Sequence, residues 1–143
     1  MGLKIHISKT VLTAIGEYFS GALIEKGGII GKDCKGNVVR FSPDIEPLEA
    51  TEFSYIPNVR AMNDVINMVW ARENIDFAGF VHSHLNNGVL SEEDLKYVRT
   101  VLNNCQMKEI LCGIYDVSES KLTFYRVENS KVEKYFNKNS FHF

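Results

Sequence analysis

At 143 residues, with 45% hydrophobic and 24% charged side chains, the chain is long enough for one domain with a packed core and has the make-up of an ordinary globular protein. A net charge of -2 argues against a nucleic-acid surface, where a basic face is expected. No apolar run is long enough to span a membrane and no positive-then-apolar leader opens the chain, so a cytoplasmic protein is expected, with Cys34, Cys105 and Cys112 as reduced thiols in or near the core.

In chain order, Leu3 to Ile7 alternates as a short strand, with His6 on its polar face. Ser8 is placed to cap a helix running to about Phe19 through Val11, Leu12 and Ile15, and Gly21 follows it as a C-terminal glycine. Next, Glu25 interrupts an apolar segment just before Gly27-Gly28-Ile29-Ile30-Gly31; alone, it reads as a charge at a strand end. Gly36-Asn37 signals a hairpin turn, with Val38 to Phe41 as the return strand. Residues 42–58 carry all three prolines and read as a long irregular loop. Pro57 to Asn74 is expected to be helical, with Val59, Met62, Ile66, Val69 and Trp70 as its apolar face. Asp76 to Val81 reads as a buried strand, Ser91 to Asn104 as a helix buried on Leu95, Val98, Val101 and Leu102, and Glu109 to Tyr115, Leu122 to Val127 and Val132 to Phe136 as further strands. No repeat or linker divides the chain. Residues 1–136 are expected to form a single domain and 137–143 a flexible tail, with helices packed on a mixed sheet.

The chemistry gathers between Phe77 and Asp94, FAGFVHSHLNNGVLSEED. Alternate residues of a strand point to one face, so His82 and His84 can turn onto one ion while Ser83 points away. Imidazole and carboxylate are zinc ligands, and Asp94 is available as the third. Each part has a plainer reading: His-x-His as core or surface histidines, and Ser91 with Asp94 as the capping box of a helix.

The combination resembles the JAMM (MPN+, JAB) zinc metallopeptidases, whose signature is a distant Glu, His-x-His-Pro, a short loop and Ser-x-x-Asp. Here it reads Glu25, His82-Ser83-His84-Leu85 and Ser91-Glu92-Glu93-Asp94. The resemblance covers residues 1–127 or so. It implies a cytidine-deaminase-like α/β fold of three layers, with a curved mixed sheet between helices. It also implies Zn2+ on His82, His84 and Asp94, Glu25 as general base and Ser91 at the oxyanion. The implied activity is hydrolysis of a peptide or isopeptide bond after the tail of a ubiquitin-like or sulfur-carrier protein. A scaffold of the same fold without turnover is the alternative reading. Two features depart from the pattern: Leu85 replaces the proline, and the loop before Ser91 is one residue short. A nucleobase deaminase is excluded, since that site needs His-x-Glu and Cys-x-x-Cys.

Overall fold

A computed structural model describes residues 6–135 and 141–142. The elements follow in the order α1 (Lys9–Phe19), β1 (Gly27–Lys32), β2 (Val38–Pro43), β3 (Glu49–Ala50), β4 (Tyr55–Ile56), α2 (Val59–Asp64), β5 (Asp76–His84), α3 (Glu92–Asn104), β6 (Ile110–Asp116), β7 (Lys121–Val127), β8 (Val132–Tyr135) and β9 (Phe141–His142). The main sheet has seven strands in the order β2-β1-β5-β6-β7-β8, with β9 also paired to β7. β5 and β6 run parallel; the other strand pairs are antiparallel. A parallel pair needs a crossover, and α3 supplies it.

The helices cover both faces of this sheet. Val11, Ile15 and Phe19 of α1 pack on one side, against Ile30, Val81, Tyr115 and Phe124. On the other side α3 packs Val98 and Leu102 against Ile110, Cys112 and Ile114, while Met62 and Trp70 close over Ile29 and Ile75. This is a mixed α/β fold of three layers, as expected. Among the described residues no helix is long and apolar enough to cross a membrane.

One irregularity in β5 decides where the histidines point. Ile30 pairs with Gly79 but Gly31 with Phe77, so Ala78 is an extra residue in the ladder. A bulge of this kind reverses the alternation beyond it. Ala78 and Val81 therefore both join the α1 core, while Phe77 and Phe80 both face the opposite layer. Counted onward from Phe80, His82 and His84 fall on the α3 side and Ser83 on the α1 side. Gly79 is required at the bulge because a Cβ there would run into the Leu111 carbonyl of β6.

Several sequence expectations change. The loop 42–58 is not irregular throughout: β3 and β4 pair within it as a short hairpin. The helix beginning at Val59 passes into a π-helical stretch, Val65–Trp70, and a 3-10 turn, Ala71–Glu73. Wider turns break the 3.6-residue stripe, so within this stretch Val69 is exposed while Trp70 is buried; Val59, in the first turn of α2, is also exposed and Met62 buried. Cys112 is buried, but Cys34 and Cys105 are exposed rather than near the core. The first strand lies mostly outside the described residues; Ile7 bridges Val38. Of the tail expected to be flexible, Phe141–His142 pairs with Lys121 and Leu122, and the rest lies outside the described residues.

Candidate metal centre

β5 runs three residues beyond its predicted end, to His84, and carries both histidines within its regular ladder. Their rings lie edge to face with centroids 4.7 Å apart. Ser91 caps α3 as the sequence predicts: its Oγ accepts from the Asp94 N–H at 3.0 Å, and its own N–H donates to Asp94 Oδ2 at 3.1 Å. The plainer reading of these two residues is therefore right, and it does not displace the other. The same Asp94 Oδ2 lies 3.2 Å from His82 Nε2 and 3.2 Å from His84 Nε2. The capping box sets the carboxylate's orientation and aims it at both imidazoles.

Glu25 arrives from a distant part of the chain. Ser83, the residue between the histidines, brings it there: its buried Oγ accepts from Lys26 N–H at 2.9 Å, and its N–H donates to Lys26 O at 2.9 Å. Lys26 points towards α1, its Nζ 4.8 Å above the Tyr18 ring. In extended chain the preceding side chain goes the other way. One ligand atom each from Glu25, His82 and His84 lie within 4.8 Å of one another. The Glu25 N–H also donates to Thr51 O of the hairpin at 2.7 Å. Ser83→Ala is expected to cost about 1–3 kcal/mol, because the Lys26 N–H loses its acceptor inside the protein. Urea unfolding measures this; a loss below ~0.5 kcal/mol would mean that Ser83 does not anchor the segment.

The short loop after β5 is also fixed. His84 O and Leu85 O accept from the N–H groups of Val117 and Ser118, and Tyr125 Oη donates to Gly88 O at 2.9 Å. Neither the missing proline nor the shortened loop moves Asp94 out of reach of the histidines. Asn87 adds a contact that the sequence reading missed. Its Oδ1 accepts from Val89 N–H at 3.0 Å and lies 3.1 Å from His84 Nδ1. With that oxygen already acting as an acceptor, His84 Nδ1 must carry the proton. In the neutral ring Nε2 then presents a lone pair to Asp94 Oδ2, acceptor against acceptor. Either a proton or a cation has to lie between them. Two imidazoles and carboxylate oxygen form a donor set suited to zinc and similar ions, so the residues present fit a metal.

The electrostatics follow from this crowding. Burial alone would raise the Asp94 carboxyl, but the His82 and His84 imidazoles and Ser91 outweigh it and hold the group well below the carboxylate range. Burial alone would lower His84; Asp94, Asn87 and Glu25 reverse this and keep it above its ordinary 6.5. Glu25 moves the other way from Asp94. Burial raises its pKa above 4.5, and the nearby histidines only partly offset that.

Glu25, Ser91 and the metal-facing groups line a groove of about 570 Å³, with Glu49, Glu52, Glu92 and Glu93 exposed along it. Tyr55 closes one side, its ring 6.1 Å from that of His82 and its Oη donating to Asp44 Oδ2 at 2.7 Å. A side chain on Gly27 would collide with that ring. Nothing in the spacing of the sequence points to the place of Tyr55 over His82.

No family model and no curated protein matches the sequence. Solved structures do match. The solution structure of a protein from Desulfitobacterium hafniense is similar over 92% of this chain and 89% of its own, with a TM-score of 0.71 and 16% identity. The crystal structure of a JAB1/MPN domain protein from Archaeoglobus fulgidus is similar over 94% of this chain and 96% of its own, with a TM-score of 0.52 and 18% identity. At these identities the likeness is one of fold: the chain has an MPN-type fold.

Proposed function

We propose that the chain is a zinc-dependent peptidase or isopeptidase of the JAMM type, cutting after the C-terminal tail of a ubiquitin-like or sulfur-carrier protein. The observation that carries the reading is the convergence of His82, His84, Asp94 and Glu25, with Asp94 Oδ2 3.2 Å from each imidazole. The MPN-type fold of the Archaeoglobus protein supports it.

His82, His84 and Asp94 would hold the metal. Zinc at such a site lowers the pKa of water and polarises a carbonyl. Glu25 is the proton carrier: it takes the proton of the attacking water and delivers it to the leaving amine. In the metal-free protein burial raises its pKa, the direction that favours holding a transferred proton. Ser91 Oγ accepts from Asp94 N–H, which leaves its hydroxyl proton free to donate to a developing oxyanion. The hairpin β3–β4, joined to Glu25 through Thr51, offers an edge along which an extended tail could be laid by strand addition.

The test is a cleavage assay on carrier-protein fusions, with metal analysis of the same sample. Zinc at one equivalent and cleavage that is lost with a chelator and restored by zinc are expected. Protein without zinc affinity, or zinc-loaded protein that cuts no fusion, would favour the non-catalytic MPN-type scaffold.

A further inference from the structure

A second cavity opens beside the metal centre. It holds about 260 Å³ and is walled by Tyr55, Ile56, Phe80, Tyr97, Val98 and Cys112. His82 and Asp94 line both this recess and the acidic groove, so the two meet at the metal-facing groups. The recess is not a flaw in packing. Ile56 and Tyr97 at its mouth are 46% and 38% exposed, whereas Val98 and Cys112 at its floor are buried. One side of it is built on β5, β6 and α3, which share one core, and Tyr55 and Ile56 of β4 form the other.

The lining offers little to a polar group. The Tyr55 hydroxyl already donates to Asp44, and burial keeps the Cys112 thiol protonated. An acidic side chain would meet Glu93 and Asp94 at the rim. An aromatic side chain gains most from such a space, since it buries about 150–250 Å² of surface.

We propose that this recess is a specificity pocket that takes one large apolar side chain, of phenylalanine or leucine type, from a residue flanking the scissile bond. The proposal rests on the peptidase reading for the meaning of "scissile", but its binding test does not. Pocket and proposed metal site share a wall, so a seated side chain holds its own backbone carbonyl or amide at the groove. Discrimination between phenylalanine and alanine at such a position is expected to be at least about tenfold.

The test has two arms on the zinc-loaded full chain. In the first, N-acetyl-phenylalaninamide and N-acetyl-alaninamide are titrated while backbone amide signals are followed. The phenylalanine compound should shift Tyr97, Val98 and Cys112 and bind at least about tenfold more tightly. Val98→Phe, which fills the floor, should remove that preference without changing zinc stoichiometry; Tyr97→Ala, at the exposed mouth, should weaken it if the first variant does not fold. Equal binding of the two compounds, or shifts elsewhere, overturns the pocket. In the second arm, peptides differing only at the residues flanking one bond are compared. Selective cleavage beside phenylalanine or leucine supports the pocket, and cleavage indifferent to those residues overturns it. Selective binding without cleavage of any peptide leaves the pocket standing and removes the peptidase reading instead.

Discussion

Glu25→Gln is expected to lower kcat/KM of the zinc-loaded protein by about 10²–10⁴-fold, the usual worth of a positioned general base. Zinc stoichiometry and the unfolding midpoint should change little. Glutamine has nearly the same shape, and the Glu25 carboxylate makes no hydrogen bond among the described residues. What it loses is the ability to accept a proton. In the unsubstituted protein the same group should set the acid limb of the pH–rate profile. Activity needs the ionised carboxylate, so the rate should fall as the pH drops through its pKa, which burial raises in the metal-free protein and the charge of a bound cation lowers. The Gln variant should lose that limb from its residual activity. Zinc affinity that collapses along with activity would instead make Glu25 a metal ligand, which its distance to both imidazoles also permits.

Asp94→Ala should have the second large effect, on two properties at once. Zinc affinity should fall by more than about 100-fold, beyond what the loss of an outer-shell partner causes. The metal-free protein should lose about 1 kcal/mol, because the Ser91 N–H loses its acceptor and the start of α3 loses a carboxylate, while Ser91 Oγ still accepts from the N–H of residue 94. Asp94→Asn separates these roles. Its amide oxygen can still accept from Ser91, so the cap should largely survive while zinc affinity remains low. Calorimetric titration and thermal unfolding read the two quantities independently. The pH dependence of the metal-free protein has two signs. The Asp94 carboxyl is depressed in the fold, so its contribution is present above about 3.8 and fades as the pH drops below that. His84 is raised, so its contribution is full below 6.5 and fades as the pH rises through its higher folded value. Stability should therefore peak between these limits; a maximum well above pH 8 would contradict the described charge arrangement.

Much of the site was legible because its parts are local. Ser91 and Asp94 are three residues apart at the start of a helix, and His82 and His84 two apart on a strand. Both spacings translate directly into geometry. Glu25 was reached only by resemblance. What delivers it is Ser83, and a buried serine linking two remote segments leaves no periodic trace. The bulge at Ala78 was hidden for a related reason: alternation along β5 cannot reveal which face is which until its partner strand is known. The π-helical stretch misled in the opposite sense, since Val69 fits a regular helical stripe that the chain does not keep. Asn87 lies in the short loop after β5, and its contact with His84 depends on where that loop folds back.

The sharing of Asp94 between a helix cap and the histidines bears on how fast the centre fills. A capping box closes within four consecutive residues, so it forms with the helix and needs no metal to hold it. The carboxylate is thus already aimed before an ion arrives, and Asn87 has already selected the tautomer of His84. Little ordering is left for the moment of capture. What remains to be displaced is the proton that His84 shares with Asp94, so metal uptake should quicken as the pH rises through the raised His84 pKa.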